Sequence, residues 1–382
     1  MTFRTRAIIA ILLTLLTTTA TITMIFILQS PGSTVKIGER QIILSQKGLF
    51  EPTFSPDGNS IVYTSNRSGD FDIWMMKIDG RHEVRLTSLK GDEVKPKFSP
   101  DGTKLAFLNE NNDNISLYVI GLLSSDSVLL SKHKSMTGMS WSHDGSKLLY
   151  VASDGGPYQI FYYSLSELVE KRHTTTEMDC FDPSWSIDDE SILFVASNPY
   201  INQLRTLSLS EGEERVVLNT SRQMSFPRFI FSGSSISYLL KNEGRWSLWM
   251  LDLINGEEYD GLLPNSKLPA PTSETPNVDS MIEPMWNANQ SMVIFAAKTP
   301  SGLSRAYVTK FNQTIFIEIG ESMIWTKGPL LTKLQLDENV TLQSFDWSPD
   351  SKQVLLLVFD GRMYSIVLIA FVPITPVPRS YG

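Results

Sequence analysis

Three carboxylates and one amine recur at one place in an internal repeat. Glu51, Lys95, Asp182 and Glu283 each stand three residues before an aromatic residue, at Phe54, Phe98, Trp185 and Trp286. Gly138, Phe226 and Ser344 hold the same place in the remaining units. Units arranged about an axis would set these positions around one opening, where the excess of carboxylates focuses negative potential. A mouth of that kind suits a cationic segment of a partner protein or a calcium ion, and Asp92, Glu93, Glu177 and Asp179 in neighbouring loops add to it. The same acids precede Pro52, Pro183 and Pro284, so loop capping is the competing role.

Other chemistry is sparse. None of the four histidines, His82, His133, His143 and His173, is spaced to share a zinc ion with a neighbour. The Gly-X-Ser-X-Gly nucleophile elbow does not occur. By repeat register His143 falls in a turn and His82 in a link between strands, which makes both solvated loop residues. Cys180, the single cysteine, has no placed base and reads as a free thiol near a loop. It cannot form an internal disulfide, so stability must come from a core. No residue is assigned a catalytic role, and no metal-ligand set is read. With 33 Lys and Arg against 41 Asp and Glu the formal charge is −8, which argues against nucleic acid as the main partner.

The elements that position the mouth follow from the repeat. Glu51-Pro52-Thr53-Phe54-Ser55-Pro56-Asp57-Gly58 returns as Lys95-Pro96-Lys97-Phe98-Ser99-Pro100-Asp101-Gly102, then around Trp141 and Trp185, and more faintly around Phe229, Trp286 and Trp347. The first five anchors are 43 or 44 residues apart, and the last two intervals lengthen to 57 and 61. Seven residues after the anchors lie Ile61, Leu105, Leu148, Ile192, Ile236, Val293 and Val354. Two further on lie Tyr63, Phe107, Tyr150, Phe194, Tyr238, Phe295 and Leu356, the period of two of a strand. Pro-Asp-Gly is a tight turn between the first and second strands, so Asp57, Asp101, Asp144, Asp188 and Asp350 are structural. Each unit reads as a four-stranded antiparallel sheet, and radial units of this size make an all-β, seven-bladed propeller, with six blades as the alternative. The last unit runs into Pro373, Pro376 and Pro378, so Arg40 to Leu44 is expected to supply its outer strand and close the ring.

Ala7 to Leu28 is a run of twenty-two uncharged residues behind Arg4 and Arg6. About 20 apolar residues span a bilayer, so the run reads as a transmembrane helix or, alternatively, as a cleaved signal. The arginines stay cytoplasmic and the rest lies outside. Sequons at Asn66, Asn114, Asn219, Asn289, Asn312 and Asn339 suit that side. The chain divides into an anchor or signal (1–30), a linker (31–39), the propeller (40–372) and a tail (373–382).

The phrase Pro-X-Phe/Trp-Ser-Pro-Asp-Gly, with the strand after it, Ser65-Asn66-Arg67-Ser68-Gly69 and Asp72-Ile73-Trp74, resembles the WD-like repeats of TolB-type propellers. Prolyl-oligopeptidase-type and tricorn-type peptidases carry similar propeller repeats. The resemblance implies a docking or assembly module working outside the cytoplasm. TolB itself would have a small α/β domain before six blades, and this chain departs from that pattern. The resulting expectation is a single-pass extracytoplasmic propeller, or a secreted or periplasmic one after cleavage, that binds a protein or a glycan. A propeller lyase, cyclase or hydrolase acting on an extracellular glycan or peptide is the alternative. Upper-face loops carry recognition in either case, and the long insertions 264–280 and 312–327 are further candidates.

Overall fold

The computed structural model describes residues 35–373 except 125, 243–244, 255, 261–279, 289, 291, 299–303 and 311–340. Strand follows strand throughout, and the only helical element among the described residues is the short turn Phe231–Gly233. Among the described residues, six four-stranded antiparallel sheets and one three-stranded sheet succeed one another along the chain in a propeller-like fold.

Sheet 1 comprises Leu49–Phe54, Ser60–Ser65, Asp72–Lys77 and Val84–Arg85, and sheet 2 comprises Asp92–Phe98, Lys104–Asn111, Asn114–Gly121 and Ser127–His133. Sheet 3 is Ser135–Trp141, Lys147–Ser153, Gln159–Ser164 and Val169–Arg172; sheet 4 is Asp179–Trp185, Ser191–Ser197, Asn202–Ser208 and Glu214–Thr220. Sheet 5 is Met224–Ile230, Ser235–Asn242, Arg245–Asp252 and Glu258–Asp260, and sheet 6 is Ser280–Trp286, Met292–Lys298 and Ser304–Lys310. Sheet 7 is Thr341–Trp347, Gln353–Phe359 and Tyr364–Pro373, and its fourth strand is Val35–Gln46 from the other end of the chain. The closing strand is thus where the prolines required it, and it is longer than expected, starting at Val35 inside the segment read as a linker.

The second strands show how the sheets stack. Ile61 and Tyr63 pack with Leu355, Leu357, Ile366 and Leu368 of sheet 7. Val62, between them, packs with Leu105, Phe107 and Ile120 of sheet 2. In sheet 3, Leu148 and Tyr150 face sheet 2, while Leu149 faces Cys180, Ile192 and Phe194 of sheet 4. The central residues of these strands are buried on both faces, because each of these sheets lies between two others and the period of two sorts side chains between neighbours rather than between core and water.

The turns behave as expected. Ser60 N–H donates to the Ser55 hydroxyl at 3.0 Å, and Asn59 N–H donates to Asp57 at 3.0 Å. The Ser55 hydroxyl and then that N–H hold the Asp57 carboxyl down to about 2, and Ser99 and Thr103 do the same for Asp101. These carboxylates are committed to their own turns. No helix among the described residues is long and apolar enough to cross a membrane. The Ala7 to Leu28 run lies outside the described residues, as do 264–279 and 312–327 of the insertions.

Candidate functional site

The four predicted mouth residues lie on the first strands of sheets 1, 2, 4 and 6, each beside a break in strand register. In sheet 1 pairing jumps from Phe50 to Thr53, and in sheet 2 from Val94 to Lys97. Proline at the second skipped position has no N–H for the ladder, which makes a bulge the natural solution. The residue before it takes a left-handed conformation: φ is 50° at Glu51, 56° at Lys95, 49° at Asp182 and 52° at Phe226. Gly138 takes the same place in sheet 3 with φ 64°, although no proline follows it.

A bulge frees a backbone N–H, and that group needs an acceptor. Glu51 Oε2 accepts from Lys95 N at 2.6 Å, forty-four residues along the chain, and Asp182 Oδ2 accepts from Phe226 N at 3.0 Å across the same separation. Lys95 reaches one sheet further, its Nζ donating to Thr137 Oγ1 at 3.1 Å. The structure therefore links these residues pairwise between sheets. The backbone of Glu283 occupies the equivalent place in sheet 6, and its side chain lies outside the described residues.

Every boundary between successive sheets is bonded from an inner strand. Asp346 of sheet 7 accepts from Thr53 Oγ1 at 2.7 Å and Phe54 N at 2.9 Å, and burial raises its carboxyl pKa. Trp141 Nε1 donates to Lys97 O, Trp185 Nε1 to Ser140 O, Trp286 Nε1 to Ser237 Oγ and Trp347 Nε1 to Met285 O. Glu51 and Asp182 supply the boundaries between sheets 1 and 2 and between 4 and 5.

Two polar clusters escaped the sequence reading. Glu93 is fully buried and so does not add an exposed charge to the mouth. Its carboxylate accepts from Asn109 Nδ2 at 2.7 Å, and burial pushes its pKa up to about 7. Buried Asp72, paired with Arg85 at 2.7 Å, is its acidic neighbour. A signal existed: the same repeat position holds Leu49, Met136, Cys180, Met224, Met281 and Leu342, so Glu93 is the exception.

The second cluster sits between the outer strands of sheets 2 and 3. Buried His133 lies between Asp154 and Glu170, with both contacts at 2.9 Å. Glu170 also accepts from Ser131 at 2.6 Å and from the Tyr150 hydroxyl. Glu170 first and Asp154 after it raise the imidazole pKa against the opposing effect of burial. Tyr63 likewise donates to Glu83, which Arg67 meets at 2.7 Å. Here the signal was a recurrent spacing, because the repeat sets Tyr63, Tyr150 and Tyr238 twenty residues before Glu83, Glu170 and Glu258, although Phe194 also precedes Glu214 by twenty.

His82 and His143 are exposed, as expected, and His143 meets Asp189 at 2.8 Å. Cys180 corrects the sequence reading: it is buried in the first strand of sheet 4, and burial pushes its thiol up to about 11. No group of three or more His, Cys, Asp or Glu among the described residues is disposed to hold a metal ion.

Comparison with known proteins places this architecture. A TolB homolog of Chlorobaculum tepidum is 25% identical over 117 residues, which span 31% of this chain and 27% of that protein. The oligogalacturonate lyase of Vibrio parahaemolyticus superposes with a TM-score of 0.63 at 14% identity, covering 92% of this chain and all of that one. The propeller domain of the trilobed protease from Pyrococcus furiosus superposes with a TM-score of 0.58 at 15% identity, covering 86% of this chain and 98% of that one. That domain has an open velcro topology, whereas here Val35–Gln46 pairs with Tyr364–Pro373. At these identities the two structures share the fold alone. The TolB β-propeller domain model matches residues 32–267, and with its repeats, turns and sheets of one plan the chain belongs to that family.

Proposed function

We propose that the protein is a closed seven-bladed propeller serving as a protein-binding scaffold outside the cytoplasm, held to the membrane by residues 1–30. The observation that carries the scaffold reading is the use made of the polar residues at the mouth. Glu51, Lys95 and Asp182 are engaged with the next sheet, which makes a rigid ring whose upper loops are free to recognise a partner. The propeller itself spans 40–372 together with the start of the closing strand. The uncharged run, the arginines before it and the sequons support the location.

Cross-linking and affinity capture of the intact protein from its own membrane tests the function. A stoichiometric protein partner is expected, and its absence at saturating cross-linker overturns the scaffold reading. Protease added to intact cells should remove a C-terminal tag, and a tag protected until lysis would place the propeller inside. The cation-binding role of the mouth is tested by calcium titration of the intact protein against a variant with Glu51→Gln, Asp182→Asn and Glu283→Gln. Equal affinity in both assigns the acids to the ring alone.

The fold shared with oligogalacturonate lyase favours one second reading, a lyase acting on an acidic extracellular glycan. Formation of unsaturated product from oligogalacturonates by the purified protein would establish it in place of the scaffold.

A further inference from the structure

The two ends of the sheets differ in what they show to water. Strand directions alternate, so the turns joining first to second and third to fourth strands share one end, the lower face. The loops joining second to third strands and one sheet to the next share the upper face. Among the described residues, five exposed large aliphatic side chains stand in lower-face turns: Leu123, Leu168, Ile187, Leu253 and Ile254. Described upper loops carry one exposed large hydrophobic side chain, the aromatic Tyr200. The lower residues stand well out, with Leu123 99%, Ile254 85%, Leu168 74% and Ile187 57% exposed. They come from four consecutive sheets, 2 to 5, one turn tip each.

The chain enters the fold at the same end. Val35 pairs with Pro373, and Gln353 pairs with Ala370, so the strand Val35–Gln46 begins beside the Asp350 turn and runs upward. Six residues, 29–34, separate Val35 from the end of the uncharged run at Leu28. Fully extended they reach roughly 20 Å. A tether that short holds the lower face against whatever surface the run enters. Asp57, Asp101, Asp144, Asp188 and Asp350 on that face stay ionised because their turns lower their pKa values. These carboxylates offer no attraction to anionic headgroups, which leaves the apolar tips as the groups suited to such a surface.

We propose that the lower face rests on the outer surface of the bilayer, with Leu123, Leu168, Ile187 and Ile254 dipping into the interfacial region, so that the mouth and upper loops point away from the membrane. The inference rests on the anchored reading above. It assigns one role to apolar turn tips that four consecutive sheets present at the same end.

The test uses the full chain reconstituted into phosphatidylcholine vesicles and recovered by flotation. A polarity-sensitive dye is attached at Leu123→Cys, Leu168→Cys or Ile254→Cys, with Tyr200→Cys as the upper-face control; buried Cys180 does not compete for the label. Spin-labelled phosphatidylcholine should quench the three lower positions at least about threefold more than position 200. Floated protein with equal quenching at all four positions overturns the orientation and leaves the anchor standing. Protein that fails to float, or that alkaline carbonate strips from the vesicles, overturns the anchor and the orientation with it.

Discussion

Glu93 is the residue with the clearest pH signature. Its carboxyl is raised from an ordinary value near 4.5 to about 7 by burial, with Asp72 adding to the effect, so the folded state holds a proton that the unfolded chain has released. The stability tied to that proton is complete below the unfolded pKa and is lost as pH rises through about 7. Urea unfolding should show the native protein losing on the order of 2 kcal/mol between pH 5 and 8 from this group. Glu93→Gln, which imitates the protonated acid, should flatten that window, and an unchanged pH slope would refute the assignment. His133 works in the same direction, because its raised pKa also favours the folded state at lower pH. Glu51 makes a different prediction. Glu51→Ala leaves Lys95 N–H without its acceptor and should cost about 1–2 kcal/mol, while Glu51→Gln recovers most of it. Equal loss in both variants would point to charge rather than to the backbone bond. Sequence periodicity located Glu51 because the motif repeats, but it could not show where the carboxylate bonds, since the acceptor and its N–H are forty-four residues apart.

At the scale of the element, the most legible feature was the closing strand. Three prolines ended the sequence pattern one strand short, and the only unpaired strand pattern stood at the opposite end of the chain. The structure pairs the two over Val35–Pro373 to Gln46–Tyr364. A chain beginning at Lys47 should therefore melt lower and aggregate more than one beginning at Val35, because it exposes the full edge of Tyr364–Pro373. Equal melting temperatures would show that the seam contributes nothing. The second strands were legible in position but not in surroundings. Ile61 and Tyr63 marked a buried face, yet Val62 is equally buried, and alternation alone cannot distinguish a sheet with one wet face from a sheet packed on both sides. Cys180 was misplaced for a related reason: it stands just before a strand motif, and the strand begins earlier than the motif does, at Asp179.

At the scale of the molecule, stability is distributed over many sheets, since among the described residues sheet 7 and sheets 1 to 5 share cores with their neighbours and each boundary carries an inner-strand bond. Unfolding should consequently be cooperative over the first five sheets. Native-state hydrogen exchange is expected to give similar protection to the second strands Ser60–Ser65, Lys147–Ser153 and Ser191–Ser197. Protection of one of them weaker by several orders of magnitude would mean that a sheet opens alone.

The seam between Val35–Gln46 and Tyr364–Pro373 also decides how the molecule answers to force. Nine registered pairs join the two strands, with Val35 at the lower end. A pull on Val35 along its own strand, resisted by something gripping the upper loops, strains all the pairs in shear at once instead of peeling them off singly. The same strand drawn sideways would unzip from Val35 upward at much lower force. The seam is thus strongest along its own strands, and a tug along that line would be passed into the neighbouring sheets before the seam gave way.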